Sequence, residues 1–235
     1  MSTGTLFLIP VSLGETDNDR LFPNLNLRLL NELDHLVVEN ERSARRFIRA
    51  TGSKRDLDHL EMILLDKKTG GQQLSRPLEL LIQGKDVGLM SEAGCPGVAD
   101  PGQILTAQAH NFNIRVQPLI GPSSILLALM ASGLNGQGFT FHGYLPIDKR
   151  ERVRKLRQLD DLIARSGYTQ IFMETPYRNE KLMDDVLKTC NGNNRLCVAV
   201  DLTLKTQQIR TLAIAEWKNN RTGLHKRPCM FLLGV

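Results

Sequence analysis

The strongest constraint on the fold is an alternation in the first half of the chain. Short apolar runs that stop at turn residues trade places with segments whose leucines recur three and four residues apart. Residues 5–9 form such a run and stop at Pro10; residues 36–38, 87–90 and 114–119 form the others. Between them, Leu25, Leu29, Leu30 and Leu33 predict a helix over 24–33. Helices are also expected over 41–51, 56–66, from 75 onward and over 100–110, with Ser75 as an N-cap and Glu79 four residues on. Residues 67–73 are polar and glycine-bearing, hence a loop. Gly121-Pro-Ser-Ser124 opens an apolar helix through Ala131, with Gly133 as its C′ residue. Strands and helices in this order build a parallel sheet with crossover helices. Ligands of such sheets lie outside the carboxyl ends of the strands.

The second half changes character. Residues 139–145 and 168–173 predict strands on either side of a charged helix at 149–165, and 176–190 predict another helix. Residues 196–202, 208–213 and 227–233 are strand-like with short connections, which favours antiparallel pairs. The expected fold is therefore α/β in two domains, residues 1–118 with a mostly parallel sheet and residues 119–235 with a mixed one. The helix opening at Gly121 is the natural junction. A chain of 235 residues, 41% hydrophobic and 23% charged, can bury cores of that size.

Composition excludes several classes. No apolar stretch reaches the roughly 20 residues of a membrane span. The opening Met1-Ser-Thr-Gly-Thr-Leu-Phe-Leu-Ile-Pro10 lacks the basic region of a secretory signal, so a soluble cytoplasmic protein is expected. Cys95, Cys190, Cys197 and Cys229 form no Cys-x-x-Cys pair and the histidines are scattered, so no zinc site is readable. Free thiols in a reducing compartment suit this pattern. Lys plus Arg number 30 against 25 Asp plus Glu, a mild excess that fits an anionic partner.

Two strand-to-helix transitions carry chemistry. Ser91-Glu-Ala-Gly-Cys-Pro-Gly-Val-Ala-Asp-Pro-Gly102 packs Gly94, Gly97 and Gly102 with Pro96 and Pro101 into one loop. Glycines admit a ligand close to the backbone, and prolines stiffen the loop that presents it. The spacing is neither the dinucleotide fingerprint nor a phosphate P-loop. The second transition is Leu119-Ile-Gly-Pro-Ser-Ser124, where Pro122 suits the first helical turn and the helix start can hold an anion.

The loop at 91–102 resembles the Ser-Asp-Ala-Gly-Thr-Pro-x-x-x-Asp-Pro-Gly motif of the tetrapyrrole methylase superfamily, in its small-subunit ribosomal RNA (cytidine-2′-O-)-methyltransferase branch. Gly121-Pro-Ser-Ser124, Ala131-Ser-Gly-Leu134, residues 139–146, Phe172-Met-Glu-Thr-Pro-Tyr-Arg178 and Asp201-Leu-Thr203 follow in the family's order. The resemblance implies an S-adenosylmethionine-dependent methyltransferase, a homodimer of two-domain chains with the cofactor in the cleft between domains. It places Pro10, Ser91, Glu92, Ala93, Gly94, Pro96, Gly121, Pro122, Ser123, Ser124 and Met173 at the cofactor. Three departures bear on the acceptor. Ile9-Pro-Val-Ser-Leu-Gly-Glu15 and Glu39-Asn-Glu-Arg42 differ from the branch, and the chain ends at Val235 without the small extension of many members. A tetrapyrrole or corrinoid acceptor, or a non-catalytic binding dimer, stays open. Gly94-Cys-Pro96 lacks the aspartate of the usual tetrapyrrole loop.

Transfer to a ribose hydroxyl benefits from a base or from a cation that stabilises the alkoxide. Glu39 and Glu174 are the candidate bases, Arg42 and Arg178 the candidate stabilisers. Glu174 and Arg178 lie four apart and can equally pair with each other. Lys149, Arg150, Arg152, Arg154, Lys155 and Arg157 crowd into nine residues. They read as an RNA-binding face on a small-subunit RNA partner, or as a solvated helix face.

Overall fold

The computed structural model describes residues 2–15, 21–65, 73–221 and 223–235. It forms two compact units, Met1–Ser123 and Ser124–Val235. The first holds β1 (Thr5–Ile9), α1 (Asn24–Glu32), β2 (His35–Val38), α2 (Glu41–Ala50), β3 (Glu61–Leu64), α3 (Ser75–Ile82), β4 (Val87–Met90), α4 (Gln103–Asn111) and β5 (Arg115–Pro118). Its sheet is parallel throughout, in the order β3-β2-β4-β1-β5.

Burial on both faces explains the apolar strands. Along β1, Leu6 joins a core with Leu80 and Leu81 of α3 and Leu105 and Ala109 of α4. Phe7 and Ile9 join the opposite core with Leu29 and Leu30 of α1 and Phe47 and Ile48 of α2. The two-residue period of a strand thus feeds two helical layers. Asn40 caps α2, its side chain accepting from the amides of Arg42 and Ser43.

Two expectations fail in this unit. The leucines at 57, 60 and 64 imitate a helix over 56–66, yet residues 61–64 are β3, paired with β2 from His35↔Glu61 to Val38↔Leu64. Pairing along the sheet edge overrides a short helical pattern, and Arg76 fastens β3 by a two-nitrogen ion pair to Glu61 at 2.8 and 3.0 Å. Ser75 is the first residue of α3, not its cap; Leu74 holds that position with no side-chain bond. Asp66 and most of the expected loop at 67–73 lie outside the described residues.

The second unit holds α5 (Ser124–Ser132), β6 (Phe139–Tyr144), α6 (Lys149–Ser166), β7 (Thr169–Met173), α7 (Asn179–Thr189), β8 (Arg195–Val200), β9 (Gln208–Ala213), α8 (Ile214–Trp217) and β10 (Cys229–Gly234). Its sheet runs β6-β7-β10-β8-β9, with β6–β7 parallel and the remaining pairs antiparallel. The core sets Leu156, Leu159 and Ile163 of α6 and Leu182, Met183 and Val186 of α7 against Phe172 and Phe231. Those two rings stack at 5.9 Å. Thr211 on β9 donates its hydroxyl to the Ser132 carbonyl at 2.7 Å and ties down the end of α5. Gly133 follows with φ 71°, as a C′ glycine does. No helix among the described residues is long and apolar enough to cross a membrane.

Candidate functional site

The order β4-β1-β5 makes neighbours of three strands far apart in sequence. The segments leaving their carboxyl ends therefore lie side by side. After β1, Val11 exchanges both backbone hydrogen bonds with Gly94, at 2.9 and 3.0 Å. Gly94 sits at φ 75°, where a side chain would be strained. After β5, Gly121 lies so close to Pro10 that an added Cβ would stand 2.3 Å from the proline Cβ. Cys95 donates its thiol to the Pro122 carbonyl at 3.5 Å, closing the third side. Pro10, Gly94 and Gly121 are thus brought together, with Pro96 and Pro122 buried beside them.

The glycine loop is held by its own atoms. Asp100 accepts at one oxygen from the amides of Gly97 and Gly102, at 2.9 and 2.7 Å. The Ser91 hydroxyl reaches the carbonyls of Ala93 and Gly94, both at 3.2 Å, so it braces the loop from within. Glu92, Ala93, Val98 and Ala99 are its exposed members. Pro122 precedes α5 instead of opening it, because the helix starts at Ser124. The proposed first-turn role of Pro122 is corrected accordingly. On the other side of the segment, Asn26 of α1 is buried and donates to the Ile120 carbonyl at 2.8 Å. Asp100 and Asn26 escaped the reading of single motifs. Asp100 stood inside the quoted loop, and Asn26 interrupts the leucines of α1.

A cavity of about 470 Å³ opens next to this edge. Val11, Leu13, Phe47 and Ala50 supply its apolar surface, and Ser12, Glu15, Ser43, Arg46 and Glu92 its polar surface. Ser43 donates to Glu92 at 3.3 Å, and the Glu92 amide donates to Glu39 Oε1 at 3.2 Å. The start of α2 is thereby laced to the glycine loop.

The candidate bases are engaged. Glu39 holds the Glu92 amide. Glu174 has 1% side-chain exposure, and one of its oxygens accepts from the Thr175 amide at 2.7 Å and from Arg178 at 3.0 and 2.6 Å. The four-residue spacing of Glu174 and Arg178 is realised as an ion pair at the end of β7, beside half-buried Met173. Arg42 is exposed and forms no ion pair among the described residues.

The basic helix divides. Arg152 is buried and bonds Asp185 on α7 through two nitrogens at 2.9 and 2.7 Å, and the Pro146 and Ile147 carbonyls through the third. It shares the buried stripe of Leu156 and Leu159, so its assignment to RNA is corrected: it is an internal brace. Lys149, Arg150, Arg154 and Arg157 are exposed and Lys155 is half-exposed. None of these five forms an ion pair among the described residues. Close by, burial and the Lys155 charge hold His142 below its ordinary value, while its hydrogen bond to Gln170 acts the other way. All four thiols are free, and burial pushes each of them up, Cys190 and Cys229 to about 12.

The chain belongs to the tetrapyrrole (corrin/porphyrin) methylases, whose family model matches residues 24–217. It is thus an S-adenosylmethionine-dependent methyltransferase, with the two-domain fold of that family. The methyltransferase CobJ shares the fold at a TM-score of 0.64 and 17% identity, over 100% of this chain and 94% of that one. The sequence relatives bear a more particular name. Ribosomal RNA small subunit methyltransferase I of Pseudomonas aeruginosa is 31% identical over 99% of this chain and 79% of its own length. Its namesake in Buchnera aphidicola is 30% identical over 93% and 74%.

Proposed function

We propose that the chain methylates small-subunit ribosomal RNA at a ribose 2′-hydroxyl and works as a homodimer. The observation that carries this reading is the outward cation face of α6, which forms no ion pair among the described residues, in a chain that aligns over 99% and 93% of its length with relatives named for that RNA. A phosphate backbone is the natural counterpart of such a face.

The carboxyl edge of β4-β1-β5 is the first unit's contribution to the methyl-donor site. S-adenosylmethionine supplies, when bound, a methyl group on a positively charged sulfur. The edge fits it chemically: Pro10, Ala93, Gly94 and Gly121 project nothing larger than a methyl or a proline ring, so backbone is within reach. The bracing by Asp100 and Ser91 fixes that backbone before the ligand arrives, so that positioning carries much of the rate. With Glu39 and Glu174 both engaged by hydrogen-bond donors, orientation and exclusion of water explain transfer better than a dedicated carboxylate base.

Tritiated-methyl transfer to hypomethylated small subunits tests this reading. The wild-type chain labels the RNA. Gly94→Arg, folded by circular dichroism, loses both labelling and calorimetric binding of S-adenosylmethionine. Labelling that persists in Gly94→Arg would show the donor site to be misplaced. Sedimentation velocity checks the dimer; a monomer at working concentration would remove it.

A further inference from the structure

The carboxyl end of β7 carries an aromatic pair that neither the donor edge nor the cation face of α6 uses. Tyr177 follows Met173 by four residues and is 70% exposed. The ring of His225, itself exposed, meets it at 6.2 Å and 78°. His225 belongs to the turn before β10, which lies beside β7 with Met230 opposite Met173. Single apolar side chains on a surface are ordinary, but this pair is held in place. Lys226 sits at φ 60°, uncommon for a residue with a side chain, and donates its amide to the Pro176 carbonyl at 3.0 Å. Fully buried Asn179 donates to the Arg227 carbonyl at 2.7 Å, and Glu180 accepts the Leu224 amide at 2.7 Å. Arg227 is tied in turn to Asp201 at 2.9 Å. Buried polar bonds are thus committed to holding two rings in water.

Charge points the same way. From Lys218 to Pro228 the sequence contains Lys218, Arg221, Lys226 and Arg227 and no acidic residue. The carboxylates of the adjoining segments are engaged, Glu174 by Arg178, Glu180 by the Leu224 amide, Asp184 by Arg221 and Asp201 by Arg227. Lys226 and Lys181, the latter four residues past Tyr177, are exposed and form no ion pair among the described residues. An aromatic face flanked by free cations matches an unpaired base and its phosphates.

We infer that Tyr177 and His225 form a stacking platform for one unpaired base of the RNA substrate, with the neighbouring phosphates on Lys181 and Lys226. Methyl transfer needs an enclosed site and these rings lie open to solvent, so the base held here is a neighbour of the methylated one. The inference rests on the RNA reading above and adds a contact on the second unit. Every base has a face to stack, so the platform holds a strand without selecting its sequence.

The test uses Tyr177→Trp in the full chain. The one native tryptophan, Trp217, is 1% exposed, so quenching by a ligand reports on position 177. A short oligoadenylate is expected to quench the new indole saturably. The same strand annealed to oligouridylate, its bases already stacked, is not. By fluorescence anisotropy, Tyr177→Ala weakens binding of the single strand about tenfold, as for the loss of one stacked base, and Tyr177→Phe retains it. Lys181→Glu with Lys226→Glu weakens binding too. Circular dichroism verifies that each variant folds. Absent quenching, equal quenching by the duplex, no oligonucleotide binding, or an unchanged affinity in Tyr177→Ala overturns the inference. So does a Tyr177→Ala chain that keeps RNA and loses S-adenosylmethionine, which gives the ring to the donor. Methyl transfer separates the two readings. A chain that passes the binding tests but labels no RNA sinks the proposed function and keeps the platform. Labelling of small subunits with unaltered KM in Tyr177→Ala sinks the platform and keeps the function.

Discussion

Two arginine-rich helices, α2 and α6, look alike in sequence and serve differently in the structure. On α6, one cation of seven is internal: Arg152 and Asp185 have 7% side-chain exposure each and lock the helix to α7. The others face outward. On α2, Arg49 ties the helix to the turn that follows it, Arg45 makes a loose pair, and Arg42 and Arg46 form no ion pair among the described residues. A basic helix is therefore not one surface but a mixture of braces and contacts. Counting charges overstates what is available to a ligand, and by different amounts in the two helices.

The comparison breaks most visibly at Arg152. Asp185→Ala leaves a buried guanidinium without its counter-charge and is expected to lower unfolding free energy by about 3–5 kcal/mol. Urea denaturation followed by the buried Trp217 measures this, and the double substitution Arg152→Met with Asp185→Leu restores most of the loss. If Asp185→Ala proves neutral, the brace reading is wrong. The outward face behaves oppositely. Arg150→Ala, Arg154→Ala and Arg157→Ala together leave stability nearly unchanged but cut the slope of log affinity for RNA against log salt by about 2. A slope equal to wild type would confine RNA to another surface.

On α2, Arg49→Ala loses hydrogen bonds to two carbonyls and is expected to cost about 1 kcal/mol. RNA affinity stays as in wild type, and a fall would make Arg49 a contact as well as a brace. The smallest effect concerns pH. His142 titrates below its ordinary value in the folded chain, first because of burial and then because of Lys155. The unfolded chain binds the proton more readily, so stability is complete above the ordinary value of 6.5 and falls as pH drops through it. Lys155→Met narrows that fall. Unfolding curves at pH 7.5 and 5.5 should show it, and an unchanged difference would remove Lys155 as a cause.

Much of this was legible in the sequence because it is local. The strand runs, the helix over 41–51 and the Gly133 terminus depend on neighbours a few residues away. So does the glycine loop, where Asp100 binds amides two and three residues off. Two of the failures have a long-range cause: residues 61–64 became a strand through pairing with β2, and Arg152 turned inward to an aspartate 33 positions later.

By itself, the sequence determined two α/β units, a parallel and a mixed sheet, and the family to which the chain belongs. Each rests on periodicity and short motifs, which are written in consecutive residues. Only the tertiary structure decided which charges face outward. It buried Arg152 against a partner 33 residues away, paired Glu174 with Arg178, and brought Arg46 and Glu92 to the lining of one cavity. Desolvating a charge is tolerable only where a partner is already in place, and strand order supplies that partner from distant parts of the chain.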